Sequence, residues 1–167
     1  MSYLEHKEEA PQSVGVALIT ISDSRTEETD ESGKLLKEKL TGAGHRVVNY
    51  ALVKNDAAAI KETIGELLED EEVQVIITGG GTGLSHRDIT VETVSALLEK
   101  KLDGFGELFR SLSYQEIGTS GMMSRAVAGV AGGKIIICIP GSRGATELAA
   151  DKIILPEIGH MVREATR

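Results

Sequence analysis

Between Val73 and Val91 the chain reads VQVIITGGGTGLSHRDITV, and no other stretch so narrows what it can become. Val75, Ile76 and Ile77 form an apolar run too short for a helix and bounded by glycines, which fits a strand buried on both faces. Thr78 closes the run, and four of the five residues from Gly79 to Gly83 are glycine, Thr82 being the exception. Such a turn puts no side chains between backbone and ligand and permits positive φ. It also gathers N–H donors at one point, which suits phosphate oxygens; those of Gly80 and Gly81 are expected to meet them. His86, Arg87 and Asp88 follow, and Thr90-Val91-Glu92 opens an amphipathic helix. Strand, bare loop, charged pair and helix, in that order, make an active-site layout. The competing reading of the glycines alone is a plain tight turn; Arg87-Asp88 close behind favours chemistry.

Familiar phosphate loops are excluded. A GxGxxG starting at Gly79 meets Leu84 where a glycine is required, and one starting at Gly81 meets His86; no lysine follows as a P-loop requires. There is no GxSxG nucleophile elbow. A zinc cluster is not legible either, with one cysteine and with His6, His45, His86 and His160 scattered, each read as a surface residue. The formal net charge of −8 argues against general nucleic-acid binding. Cys138 sits in the apolar run IIICI and is expected buried and reduced. No apolar run approaches the ~18 residues of a membrane span, and the polar N-terminus is unlike a signal peptide, so a cytoplasmic protein is expected.

The 167 residues read most simply as one domain over 14–167, preceded by a loose arm over 1–13 that makes at most an oligomer contact. Aromatics are only 3% of the chain, so the core must be Val, Ile, Leu and Ala. Val14 to Ile21 reads as a buried strand ending in Ser22-Asp23-Ser24. Ser32 is expected to cap a helix through Leu35, Leu36 and Leu40. Arg46 to Val53 reads as a second strand, and Asn55 or Asp56 as the cap of a helix bearing Ile60, Ile64, Leu67 and Leu68 on one face. Helical stripes follow at Val91, Val94, Leu97 and Leu98, and at Phe105, Leu108, Phe109 and Leu112. Ile135 to Ile139 is another doubly buried strand, ending in Pro140-Gly141-Ser142-Arg143-Gly144. A helix begins at Ala145, is interrupted by Pro156, and gives way to a stripe at Ile158, Met161, Val162 and Ala165. The fold class is therefore α/β, a mostly parallel sheet with helices on both faces. Ligands of such sheets bind beyond the C-terminal strand ends, and Ser22-Asp23, Gly79 to Gly83 and Pro140 to Gly144 load three of those ends.

These loops combine an anion cradle with the carboxylates Asp23, Asp30, Asp56 and Asp88. Carboxylates beside phosphates repel them unless a hard cation intervenes, so Mg²⁺ is implied. Arg87, Arg125 and Arg143 are candidates to counter phosphate charge.

The stretch TGGGTGLSHRDITVET resembles the signature of the MoaB/MogA molybdenum-cofactor biosynthesis family, which includes the G domain of gephyrin. The resemblance runs from about Val14 to the C-terminus and takes in Ile21-Ser22-Asp23-Ser24, Asp30-Glu31-Ser32-Gly33, Phe105-Gly106-Glu107, Leu112-Ser113, Ser124-Arg125 and Ile139-Pro140-Gly141-Ser142. It is closer to the MoaB type. It implies a MogA-like domain that assembles as trimers, or as hexamers of two trimers. It further implies binding of molybdopterin, a pterin dithiolene with a terminal phosphate, and in active members its adenylylation by Mg-ATP. Carried over by position, Gly79, Gly80, Gly81, Thr82 and Gly83 hold phosphate, and Asp88 is the catalytic or Mg²⁺-binding carboxylate. Ser22, Asp23, Asp30, Ser32, Arg87, Ser124, Arg125, Pro140, Gly141 and Ser142 belong to the rest of the binding site.

One departure stands out. Active members carry a catalytic aspartate shortly after strand two, in a Pro-Asp-Glu or Lys-Asp stretch. Here Val53-Lys54-Asn55-Asp56 puts Asn55 at that place and Asp56 one residue later. Two readings follow: a molybdopterin adenylyltransferase in which Asp56 takes over, or a non-catalytic molybdopterin-binding scaffold. A nucleotide-binding α/β protein outside this pathway is a third.

Overall fold

The run of small and branched apolar residues after Val14 becomes β1 (Gly15–Ile21), every residue of which is buried. Its side chains alternate between two cores, as the two-residue period of a strand requires. Val16 and Leu18 join one cluster, whereas Ala17, Ile19 and Ile21 join the other. Around β1 the chain lays down α2 (Glu31–Gly42), β2 (Arg46–Val53), α3 (Ala57–Glu69), β3 (Val75–Gly79), α4 (Thr90–Ser95), β4 (Lys100–Lys101), α5 (Asp103–Ile117), β5 (Val127–Ala131), β6 (Lys134–Ile139), α6 (Arg143–Ala149) and α7 (Leu155–Thr166). A short helix, α1 (Tyr3–Glu8), precedes them. This computed structural model describes residues 2–167.

The six-stranded sheet has the order β2-β1-β3-β6-β5-β4. β2, β1, β3 and β6 are parallel; β5 runs against β6, and β4 against β5. One face packs on α2, α5, α6 and α7 through Leu36, Leu40, Phe105, Phe109, Leu148, Ile158 and Val162. The other packs on α3 and α4 through Ile60, Ile64, Leu67 and Val94. The expected α/β sheet with helices on both faces is what forms. From β1 the chain winds outward to β2, and from β3 it winds the other way. The crevice between the C-terminal ends of β1 and β3 is thus the topological switch point, where open α/β sheets bind ligands. Among the described residues, no helix is long and apolar enough to cross a membrane.

Several elements differ from the sequence reading. The stretch AVAGVAGG, which lacks strand-like alternation and is not among the elements expected above, forms β5, and Gly132-Gly133 at φ 57° and 75° make its two-residue turn into β6. Pro156 does not interrupt a helix. The chain passes from α6 through a π-helical turn over Ala150–Ile154 into α7, with Pro156 in its first turn. The wider π turn accommodates the missing N–H and the steric demand of the ring on the preceding turn. Ser32 is not the cap of α2: that is Asp30, whose Oδ1 accepts from the Gly33 N–H at 3.0 Å. The arm expected to be loose over 1–13 carries α1, whose Lys7 and His6 pair with Glu157 and Glu164 of α7; Met1 lies outside the described residues.

His45, buried just before β2, accepts the Val14 N–H on Nδ1 at 3.2 Å, which joins the entries of the two strands. Burial holds its pKa below the usual histidine value, and a proton on Nδ1 would set two donors against each other. As pH falls the unfolded chain takes up this proton first. The stability from neutral His45 is therefore present above about pH 6.5 and is lost as pH falls through the lowered folded-state value. Thermal unfolding between pH 7 and 5 should show the wild-type midpoint falling more steeply than that of His45→Asn, which keeps an acceptor and does not titrate. Parallel curves would contradict this role.

Candidate active site

Three loops meet at the switch point. A cleft of about 580 Å³ is lined there by Ile21 to Arg25, Asn55, Gly80 to Gly83, Asp88, Ser120, Met123, Ser124, Pro140 and Gly141. The glycine loop is its floor, and backbone geometry explains the glycines. A Cβ on Gly80 would stand 2.3 Å from the Ile21 carbonyl oxygen, and one on Gly81 would stand 2.2 Å from Thr90 Oγ1. Both have positive φ, 108° and 69°. The Thr90 hydroxyl donates to the Gly80 carbonyl at 2.9 Å, and the Thr90 N–H donates to the Gly81 carbonyl at 2.9 Å. The start of α4 thus clamps the loop.

The loop's N–H groups divide in two. That of Gly80, expected to face phosphate, is spent on the Ile139 carbonyl at 3.0 Å. Those of Gly81, Thr82, Gly83 and Leu84 have no acceptor among the described residues. Gly81, Thr82 and Gly83 line the cleft, Thr82 at only 5% exposure; donors left unpaired there are matched to an anion, whereas Leu84 is exposed. Arg125 accounts for their orientation. Its Nε donates to the Thr82 carbonyl at 2.9 Å and its Nη2 to the Gly83 carbonyl at 2.7 Å, while Glu92 holds the guanidinium from outside. In a trans peptide the N–H points opposite to the C=O, so gripping these carbonyls turns the Gly83 and Leu84 N–H groups away from Arg125. Arg125, expected to counter phosphate charge, thus spends its guanidinium on the loop's own carbonyls and on Glu92.

Asp23 accepts the Asn55 N–H at 3.0 Å on Oδ1 and Arg87 on Oδ2. The Arg87 guanidinium first, and then the Asn55 N–H, lower its pKa to about 2. Arg87 is thereby occupied and does not line the cleft. Asp88 accepts the Ser85 N–H on Oδ2 at 3.1 Å, and among the described residues nothing engages its Oδ1. Asn55 Oδ1 is buried without a partner, 2.9 Å from where a Gly81 Cβ would stand. Asp56 stays outside the cleft: its Oδ2 caps α3 through the Ala59 N–H at 2.9 Å. Substitution of a catalytic carboxylate by Asp56 is not what the geometry offers.

Asp30, placed by sequence among the pocket residues, is 1% exposed and structural. Besides capping α2 it accepts the Thr20 and Tyr50 hydroxyls at 2.5 and 2.6 Å. Burial raises its pKa, but these hydrogen bonds and Arg25 outweigh it and leave the carboxyl below its usual value. Tyr50 is pushed up to about 12 by burial and by Asp30. Ser32 donates to the Gly141 carbonyl at 2.8 Å, and Arg25 Nη1 donates to the same oxygen at 3.0 Å. Ser22 Oγ accepts the Arg25 N–H at 3.0 Å. Ser142 caps α6, and Arg143 begins that helix, exposed. Arg25 was missed as a site residue. Of the residues lining the cleft it is the one cation, half-exposed and tied to both the β1 and β6 loops. Its signal was its place two residues after Asp23.

The donor set fits a hard cation: Asp88 offers an unengaged carboxylate oxygen, and Asp23, whose oxygens already bind Asn55 and Arg87, also lines the cleft. A bare row of N–H groups, one arginine and an oxygen ligand can hold a phosphate ester and neutralise it.

Replacing Gly81 by Ala forces a left-handed conformation and the collision with Thr90. It should cost at least about 1–2 kcal/mol and lower the thermal midpoint by several degrees, at roughly 2–4 °C per kcal/mol for a chain of this size. A Cβ on Gly79 meets nothing within 4 Å, so Gly79→Ala should shift the midpoint by less than about 2 °C. Calorimetry of both variants checks the pair, and equal effects would contradict the geometry.

Residues 17–160 match the family described as a probable molybdopterin binding domain. Molybdenum cofactor biosynthesis protein B of Bacillus cereus is 51% identical over 168 residues, covering 100% of this chain and 99% of that protein. A crystal structure of a molybdenum cofactor biosynthesis protein B superposes with a TM-score of 0.90 at 51% identity, covering 94% of this chain and 98% of the other. The tungsten cofactor synthesizing protein MoaB from Pyrococcus furiosus superposes at 0.80 with 34% identity, covering 95% and 100%. With the cleft at the switch point and the signature loop at its floor, the chain belongs to the MoaB/MogA molybdopterin-binding family.

Proposed function

We propose that the protein acts in molybdenum cofactor biosynthesis by binding molybdopterin and transferring an adenylyl group to it from Mg-ATP. The observation that carries this reading is the row of unpaired N–H groups from Gly81 to Leu84, beside Arg25 and the free oxygen of Asp88. Family membership supplies the substrate. The terminal phosphate of molybdopterin, with a second pKa near ~6, is largely dianionic at neutral pH and needs no general base. Its oxygen attacks the α-phosphorus of ATP; a P–O bond forms there, the bond to the β-phosphate oxygen breaks, and pyrophosphate leaves with the electron pair. The obstacle is bringing two anions together, so positioning and charge neutralisation supply the catalysis. The loop N–H groups hold phosphate oxygens, and Arg25 offsets charge from the β1 side. Asp88, with Asp23 nearby, is the group to hold Mg²⁺, whose charge would stabilise the leaving pyrophosphate. Met123, half-exposed at the rim, offers a thioether face to a flat ring.

A second reading, binding without turnover, is favoured by one feature. Asn55 stands where active relatives of the family carry a catalytic aspartate, and Asp56 is committed to capping α3. Pyrophosphate release from Mg-ATP separates the two. The transferase reading expects release that depends on molybdopterin and falls at least a hundredfold in Asp88→Asn, about 2.7 kcal/mol in the barrier, with molybdopterin affinity little changed. No release from the wild type, with molybdopterin bound, would leave the scaffold reading.

The homo-oligomer, a trimer or hexamer, belongs to the same proposal. An apolar groove of about 470 Å³ runs along α5 and α7, with Leu102 and Leu108 exposed in it. Light scattering at micromolar concentration should give three or six times the chain mass; a monomer would contradict the assembly.

A further inference from the structure

At the other end of the sheet, α1 lies along α7. The segment that follows α1 also runs close to α7: a Cβ on Gly159 would stand 2.3 Å from the Pro11 carbonyl oxygen. Next to this contact His6 of α1 meets His160 and Glu164 of α7, and one nitrogen or oxygen of each lies within 4.8 Å of the others. His6 Nδ1 is 2.8 Å from Glu164 Oε1, and His160 Nε2 is 3.9 Å from that same oxygen. Nitrogen and oxygen ligands held at ~2.0–2.1 Å around a tetrahedral ion stand roughly 3.3–3.4 Å apart, a spacing that falls between these two distances. The imidazoles do not stack; their rings meet at 74°, and their nitrogens converge on one carboxylate oxygen.

The outer partners fit the same purpose. Glu157 Oε2 lies 2.9 Å from His160 Nδ1; in the tautomer with the proton on Nδ1, Glu157 accepts it and Nε2 is the nitrogen presented toward Glu164. A carboxylate behind the distal nitrogen is the usual support of a metal-bound histidine. Lys7 of α1 pairs with Glu157 in turn. Arg163 lies 2.8 Å from Glu164 Oε1 and also pairs with Glu9, so a cation taking that oxygen leaves Arg163 its second carboxylate. His6 lies within hydrogen-bond distance of Glu164 Oε1 while His160 Nε2, at 3.9 Å, does not, so the second imidazole adds little to an ion-pair staple but completes a ligand set.

We propose that His6, His160 and Glu164 form a site for a divalent transition metal of the zinc type, which fastens the N-terminal helix to α7. Three protein ligands leave a fourth position for water. None of the three lines the glycine-loop cleft; His160 and Glu164 border the α5–α7 groove assigned above to the oligomer contact, and His160 also borders a hollow with Ser13, Gly44 and His45, at the N-terminal ends of β1 and β2. The site is thus separable from phosphate chemistry.

The test is zinc titration of the full chain, metal-free and without a histidine tag, by calorimetry and by thermal unfolding. One Zn²⁺ per chain with micromolar affinity or tighter is expected, with a raised midpoint. His160→Ala should abolish binding. His6→Gln should do the same while keeping a hydrogen-bond donor for Glu164, and so distinguishes ligation from loss of the helix contact. Glu157→Gln should weaken binding about 10–100-fold. Cobalt(II) should give the intense visible bands of a tetrahedral site in the wild type and not in His160→Ala or His6→Gln. Failure of the wild type to bind, or equal binding by His6→Gln, would overturn the proposal and leave an ion-pair staple.

Discussion

Arg125 stands just before β5 and spends its guanidinium on the backbone of another loop, donating to the carbonyls of Thr82 and Gly83. Hydrogen bonds from a charged donor are worth about 1.5–3 kcal/mol where they are shielded; here the side chain is 28% exposed, so the lower end applies. The consequence is directional more than energetic. With its carbonyls gripped on one side, and Thr90 holding the carbonyls of Gly80 and Gly81, the loop has its free N–H groups fixed before any ligand arrives. Such preorganisation is what makes backbone dipoles effective toward developing or transferred charge.

The rest of the fold carries that loop to its partners. The parallel strands β1, β3 and β6 end side by side, so Asp23, Gly81 and Gly141 share one edge. Gly141 receives Arg25 and Ser32 on a single carbonyl oxygen, which ties the β6 loop to the loop after β1 and to α2. Asp30 anchors that helix from a buried position by accepting Thr20, Tyr50 and the Gly33 N–H. It acts on the site from behind, without touching it.

How much of this was legible in the sequence depended on whether a residue's environment is local. The strands around Leu18, Ile76 and Ile137 were visible because burial on both faces leaves an uninterrupted apolar run. The glycine loop was visible because positive φ and close backbone approach demand glycine. β5 was hidden because its small apolar residues show no apolar–polar alternation in sequence, although in the fold Ala128 and Val130 turn to one core and Val127 and Ala131 to the other. The arginines were misread for a related reason. A guanidinium's partner lies far along the chain, so Arg125 and Arg87 looked like phosphate ligands, whereas one grips carbonyls and the other pairs with Asp23. Asp56 shows the same limit: the sequence offered both a cap and a catalyst, and only the position of the Ala59 N–H decides for the cap. Arg25, by contrast, looked like an ordinary loop residue until the β6 loop was seen beside it.

The central claim is that the free N–H groups from Gly81 to Leu84 form the phosphate seat. Amide NMR of the full chain, titrated with Mg-ATP and separately with molybdopterin, tests it most directly. The account predicts that the Gly81, Thr82, Gly83 and Leu84 resonances move together and saturate with the affinity measured by calorimetry, while Gly80, already bonded to Ile139, moves least in the loop. Saturating binding with those four resonances unmoved would contradict it.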